Sequence, residues 1–234
     1  RLGNGSAVIE MAAAAGLPLT GGTLDPLHAT TYGVGELIRH AVQAGARKIL
    51  LGLGGSATND MGVGMAAALG WRFYDQSGHP VEPLACNLAR ITCARLETPL
   101  PEITVQAACD VDNPLCGPQG ATAVFGPQKG VTPDLLAGLD AAIAHLAGYL
   151  ETLCGRALVQ IPGAGAAGGM GAGVLCFLGG TLRPGVELIL DAADFDRLLE
   201  GTDLVITGEG RLDGQSVRGK VPAGVARRCA AAGI

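Results

Sequence analysis

The chain has 234 residues, of which 48% are apolar and 16% charged, and a net charge of −5. That is enough apolar material for one large α/β domain or two small ones around a buried core. Scattered Lys and Arg with 3% aromatic residues offer neither a basic stripe for a nucleic acid backbone nor stacking platforms for bases, so no nucleic acid partner is expected.

The opening Arg-Leu-Gly-Asn-Gly-Ser has no charged region followed by an apolar core and does not read as a signal peptide. Val34, Leu37, Ile38, Ala41 and Val42 recur at helical spacing, with Gly45 placed as a C-cap. Ile49–Leu53 reads as a buried strand that stops at Gly54-Gly55, and Ala66–Leu69 continues as helix. Trp71–Tyr74 predicts a short strand entering the turn Asp75–Gly78. Residues 79–101, with four prolines, predict loop, and Ile103–Ala108 another strand. Thr132 as N-cap, Pro133 at the first helical position and Asp134 in the first turn open a long helix. Its apolar face is Leu135, Leu136, Leu139, Ile143, Leu146, Leu150 and Leu153. Residues 157–182 are uncharged, but Pro162 and the dominance of Gly and Ala speak against a membrane span. Val186–Leu190 as strand, Ala192–Leu199 as helix, Asp203–Ile206 as strand and Pro222–Ala232 as helix complete the alternation. It favours a parallel sheet covered by helices, with any two domains interleaved.

Seven cysteines (Cys86, Cys93, Cys109, Cys116, Cys154, Cys176 and Cys229) are spread out, odd in number and free of C-x-x-C pairs. They read as reduced thiols of a cytoplasmic protein, without a zinc site.

Four segments carry candidate chemistry at predicted strand ends, where ligands bind in open α/β sheets. In Gly54-Gly55-Ser56-Ala57-Thr58-Asn59-Asp60, a glycine turn presents backbone N–H groups suited to phosphate, and Asp60 adds a carboxylate for a metal or hydroxyl; a capped tight turn is the bland alternative. Asp110 and Asp112 crowd the end of the strand at Ala108. Paired carboxylates suit Mg²⁺, although an Asx-turn before Pro114 using Asp112 and Asn113 explains them equally well. Farther on, Lys129 among turn formers is a candidate for phosphate, or else solvated surface. The third segment, Gly163 to Gly171, contains G-x-G-x-x-G in Gly163, Gly165 and Gly168, followed at Gly169 by another glycine, with Glu187 about twenty residues on. A weaker variant, Gly52, Gly54 and Ala57, precedes Asp75. These matches keep a nicotinamide-dependent oxidoreductase as the alternative. The fourth segment places Glu209, Arg211, Asp213 and Lys220 after the strand at Leu204–Ile206, able to meet phosphoryl or carboxylate charge, or only to brace the loop. His28, His40, His79 and His145 lie away from all four, and no G-x-x-x-x-G-K-[ST] loop is present.

In this order, Gly-Gly-Ser-Ala-Thr-Asn-Asp, Cys-Asp-Val-Asp-Asn-Pro-Leu, Gly-Pro-Gln-Gly-Ala-Thr-Ala-Val-Phe-Gly-Pro-Gln-Lys-Gly, the Gly-Ala-Gly-Ala-Ala-Gly-Gly run and Thr-Gly-Glu-Gly-Arg-Leu-Asp resemble the type 1 bacterial glycerate kinase family, across essentially the whole chain. The resemblance implies transfer of the γ-phosphoryl of ATP, with Mg²⁺, to the small-molecule substrate D-glycerate, giving 2-phosphoglycerate. It implies a three-layer α/β/α parallel-sheet domain and a second α/β domain with a cleft between them. The corresponding ranges are 1–55 with 185–234, and 56–184. Carried over by motif, Asn59, Asp60, Asp110, Asp112, Glu209, Arg211, Asp213 and Lys220 are the cleft candidates. In the resulting assignment Asp110, Asp112, Arg211 and Lys220 are catalytic, with Asp110 and Asp112 also holding the metal. Ser56, Thr58, Asn59, Asp60, Asn113, Glu209 and Asp213 bind substrate, and Gly54, Gly55, Gly163, Gly165, Gly168, Gly169 and Lys129 bind the nucleotide. Two departures stand out: Met61 occupies a position where the family usually has glycine, and family members begin upstream of Arg1 and continue past Ile234. The chain is therefore expected to be an internal piece of such an enzyme, an inactive binding fragment and a homo-oligomer both being open.

Overall fold

The computed structural model of the chain describes residues 5–210 and 221–234. They form two compact units, the first ending at Leu182 and the second running from Arg183 to Ile234. The fold is mixed α/β, with a parallel sheet flanked by helices.

In the first unit β1 (Ser6–Glu10) leads through α1 (Ala12–Ala15) to α2 (Tyr32–Gln43) and β2 (Lys48–Gly52). The predicted apolar face of α2 is the buried one: Val34 and Ile38 are fully buried and Val42 nearly so, while Leu37 stays exposed. Gly45 follows the helix at φ +94°, the left-handed conformation that glycine adopts without cost. β2 feeds α3 (Val63–Ala68), then β3 (Trp71–Tyr74), β4 (Cys93–Leu96) and β5 (Thr104–Ala108). Next come α4 (Ala121–Phe125), α5 (Pro133–Cys154), α6 (Ala166–Phe177) and β6 (Thr181–Arg183). The sheet order is β1-β2-β5-β6, with β2 parallel to both β1 and β5, Leu51 opposite Ile9 on one side and Ala107 on the other. Ile49 and Leu51 are fully buried and Leu50 nearly so, which is why β2 reads as a continuous apolar run: both faces of a central parallel strand are covered.

Several expectations need correction. Residues 79–101 are not all loop: Ala85–Arg90 form a 3-10 turn, and β4 pairs antiparallel with β3. A strand of four residues gives too few alternations to stand out beside four prolines. In the second unit the segment expected as a strand at Val186–Leu190 is a helix, α7 (Gly185–Ala192), and the helix expected over Ala192–Leu199 splits into the end of α7 and α8 (Phe195–Leu198). The apolar run Val-Glu-Leu-Ile-Leu fits either state, and the tertiary charges decide between them. Glu187 and Asp191, four residues apart, both pair with Arg228 of α9 (Val221–Ala232), and only a helix brings such residues to one guanidinium. Asp203–Ile206 has no strand partner among the described residues, and Leu204 and Ile206 are 75% and 89% exposed. No described helix is long and apolar enough to cross a membrane. The run 157–182 instead resolves into turns, α6 and the start of β6. All seven cysteines are free.

The connection from β2 to α3 is the best-anchored loop of the first unit. α3 has Gly62 at its N-cap and no side-chain cap there. Its open N–H groups are met from two residues upstream by Asp60, which is fully buried. One Asp60 oxygen accepts from the amide of Gly62 (3.1 Å); the other accepts from the amide of Gly64 (3.3 Å), the amide of Thr31 (2.8 Å) and the Thr31 hydroxyl (2.9 Å). The Thr31 oxygen in turn accepts from the amide of Met65 (2.8 Å). A carboxylate at the head of the helix, accepting from the Gly62 and Gly64 amides, substitutes for the missing cap. Met61, between Asp60 and Gly62, is held at φ +54°, which explains why the family resemblance leads to glycine there.

On the other side of this loop, α6 begins with three residues in left-handed conformation, Ala167, Gly168 and Gly169, and the amide of Met61 donates to the Gly168 carbonyl (3.0 Å). A Cβ on Gly168 would collide with the Thr58 carbonyl.

Three substitutions test this account by urea unfolding. Asp60→Asn, whose amide nitrogen cannot accept, is expected to lower stability by about 1–3 kcal/mol. Gly168→Ala should cost more than that, because φ is positive and the space is already taken by backbone. Gly138→Ala, on an open position of α5, should raise stability by about 0.4–1 kcal/mol.

Candidate active site

Parallel β2 and β5 end side by side, and the loops that follow them open onto a pocket of about 370 Å³. From the β2 side come Leu53, Gly54, Gly55 and Ser56; from the β5 side come Ala108, Cys109, Asp110 and Val111. Phe125, Gln128 and Lys129 of the α4 region, Ala166 and Ala167 at the head of α6, and Leu17 complete the wall. The β2 loop is fixed from behind, since the Ala57 amide donates to the Ala15 carbonyl (2.8 Å) and the Leu17 amide to the Gly55 carbonyl (2.9 Å). Gly54 and Gly55 are exposed, Gly55 at φ +74°, so the turn offers bare backbone to a ligand.

Among the sequence candidates, Gly54, Gly55, Ser56, Asp110 and Lys129 are brought together at this pocket. Thr58, Asn59 and Asp60 lie beneath it, 1%, 0% and 0% exposed. Asn59 donates through Nδ2 to the Thr122 hydroxyl (3.1 Å), while Asn59 Oδ1 and Thr58 Oγ1 are buried with no partner among the described residues. Burial pushes the Asp60 carboxyl above the usual carboxylate range, the four donors acting in the opposite direction. Its structural place is thus a brace under the pocket rather than a piece of the wall. Asp112 is exposed on the loop beyond Val111. Asn113 spends its side-chain amide on the Gln119 carbonyl (2.8 Å) and its own carbonyl on the Gly165 amide (3.1 Å), which ties the loop to the start of α6. Glu209 is half-buried in the second unit. Arg211, Asp213 and Lys220 lie outside the described residues.

Lys129 is not solvated surface: it is 1% exposed, and its Nζ donates to the Thr58 carbonyl at 2.7 Å. Burial brings the ammonium down to about 8, the nearby Asp60 charge acting to hold it up.

The G-x-G-x-x-G match at Gly163, Gly165 and Gly168 is a packing seam. A Cβ on Gly163 would crowd the Cys109 sulfur, one on Gly165 would collide with the Pro114 carbonyl, and one on Gly169 would sit 3.1 Å from the Met61 Cα. The segment follows turns rather than a strand, and Glu187 sits on α7, paired with Arg227 and Arg228. A dinucleotide fingerprint needs a strand directly before its glycines, so this reading is withdrawn. The weaker variant fares no better, since Asp75 closes the turn after β3 by accepting from the amides of Ser77 and His79.

Sequence reasoning did not single out Leu17, Phe125, Gln128 and Cys109 as wall residues, nor Thr31 as the partner of Asp60. Cys109 beside Asp110, and Phe125 and Gln128 in the segment leading to Lys129, stand within the quoted motifs, whereas Leu17 and Thr31 carry no local signal.

No group of three or more His, Cys, Asp or Glu side chains able to hold an ion occurs among the described residues. Asp110 lines the pocket and Asp112 is exposed two residues along the same loop; both are hard oxygen donors, of the kind Mg²⁺ takes together with waters and substrate phosphates, and they make no all-protein cage.

The glycerate kinase family model matches residues 1–234. The glycerate kinase of Bacillus subtilis (strain 168) is 49% identical over 231 residues, covering 97% of this chain and 60% of that protein. The glycerate 2-kinase of Escherichia coli (strain K12) is 44% identical over 225 residues, covering 94% of this chain and 59% of that protein. A crystal structure described as a glycerate kinase 2 from Salmonella typhimurium LT2 superposes with a TM-score of 0.88 at 45% identity, covering 97% of this chain and 62% of that one. The chain thus spans about three-fifths of the length of these relatives. Sequence and fold agree that the chain belongs to the glycerate kinase family.

Proposed function

We propose that this chain carries the active pocket of an ATP-dependent glycerate kinase, transferring the γ-phosphoryl group to a hydroxyl of D-glycerate to give 2-phosphoglycerate. The observation that supports it most is the meeting of the Gly54-Gly55 turn and Asp110 at one pocket, at the ends of adjacent parallel strands, in a chain so similar to named glycerate kinases. Phosphoryl transfer asks a protein mainly for positioning and electrostatics, and the parts available suit those two tasks.

In this reading the Gly54-Gly55 turn presents backbone to phosphate oxygens. Asp110 accepts a hydrogen bond from the attacking hydroxyl and so orients it. Asp110 and Asp112 together are the residues that would hold Mg²⁺, which when bound offsets charge on the phosphates. Leu17, Leu53 and Phe125 supply apolar wall that keeps water from competing with glycerate as acceptor. A pocket of about 370 Å³ is within the range of small-ligand sites.

The test is ADP release by this chain with MgATP, with and without D-glycerate. Glycerate-dependent release is expected, and Asp110→Asn should reduce it by about 10²–10⁴-fold, as for loss of a positioned acid-base group. Release without glycerate dependence contradicts the assignment, and full turnover by Asp110→Asn removes Asp110 from it. Absence of any release would contradict turnover by this chain.

A further inference from the structure

Lys129 is a buried cation whose hydrogen-bonding capacity the protein leaves mostly unspent. It ends the short 3-10 turn Pro127–Lys129, with Gly130 at φ +94° turning the chain away behind it, and it belongs to the wall of the pocket. An ammonium carries three protons. One goes to the Thr58 carbonyl, and among the described residues no other acceptor holds Lys129. Asp60 is the nearby opposite charge, yet all its bonds come from Thr31, Gly62 and Gly64, so it compensates the lysine through space and not by a shared proton. Buried donors without acceptors are costly, and an anionic oxygen arriving in the pocket would meet them. Among the described residues, the titratable groups lining the pocket with Lys129 are Asp110 and Cys109, and neither of these supplies a second cation.

We propose that Lys129 is the anion anchor of this pocket, donating from Nζ to a carboxylate or phosphate oxygen of the bound substrate. This rests on the kinase reading for the identity of the ligand and on the lysine's surroundings for the site itself. The lysine's role is then twofold, joining the β2 loop to the α4 region through Thr58 and bringing a positive charge to the pocket.

The anchor works only while protonated. Because burial brings Lys129 down to about 8, affinity for the anion is full below that value and is lost as pH rises through it. Burial pushes the Cys109 thiol the other way, above its usual value, so it does not mask the change.

Calorimetric binding of D-glycerate and of MgATP to the 234-residue chain, each at pH 7 and pH 9, tests the proposal. The ligand whose oxygen meets Lys129 should bind about tenfold more weakly at pH 9, whereas the other should not change. Lys129→Met should weaken that same ligand by roughly tenfold or more at pH 7. Lys129→Arg, permanently charged, should keep binding and lose the pH dependence. A lysine that served only to balance Asp60 would alter stability in these variants but leave the pH profile of binding flat, and that result overturns the proposal even if a variant fails to fold. Sulfate, which keeps its charge across this range, separates the two readings. Lys129-dependent sulfate binding without binding of glycerate or MgATP retains the anchor and removes the kinase assignment; failure of all three to bind overturns the anchor.

Discussion

The buried carboxylate of Asp60 is the interaction on which the first unit's functional end depends. A charge with no exposure must be met by hydrogen bonds or a counter-charge, and here both are present: four donors from Thr31, Gly62 and Gly64, and the Lys129 ammonium close by. The arrangement fixes three things together. It caps α3, it holds Met61 in a backbone conformation that a side chain resists, and it sets the path of residues 53–59 over the end of β2. The Gly54-Gly55 turn is thereby held at the mouth of the pocket rather than left to wander.

Close packing supplies the second constraint. The segment from Gly163 into α6 meets the β2 and β5 loops through positions where an added carbon is crowded: Gly163 against Cys109, Gly165 against Pro114, Gly168 against Thr58 and, less tightly, Gly169 against Met61. The same seam presents Ala166 and Ala167 to the pocket and, through the Asn113 carbonyl, anchors the loop that carries Asp110 and Asp112. Glycine here serves proximity between chain segments. Its abundance in the sequence therefore mimics a nucleotide fingerprint without being one.

What could be read beforehand followed from local pattern. β2 shows itself as an apolar run ended by glycine, α5 as a seven-residue apolar face opened by Thr132 and Pro133, and Asp110 as a carboxylate at a strand end. Features set by distant partners were not legible. Asp60 is defined by Thr31, twenty-nine positions away, and Lys129 by Thr58, seventy-one positions away. Nothing around Lys129 distinguishes it from a surface lysine until the α4 region folds beneath the β2 loop. α7 is not legible locally because Val186–Leu190 suits strand and helix equally, the decision lying with Arg228. The candidates Arg211, Asp213 and Lys220 fall outside the described residues and add nothing on either side.

The most direct measurement is native-state hydrogen exchange of the Thr31, Gly62 and Gly64 amides in the intact chain, followed alongside the amides of β2. If the buried carboxylate holds the loop, these three amides exchange only through the same global opening that releases Leu50 and Leu51. Exchange at rates typical of surface loops, with β2 still protected, would show that Asp60 does not secure the β2–α3 connection and would contradict the account.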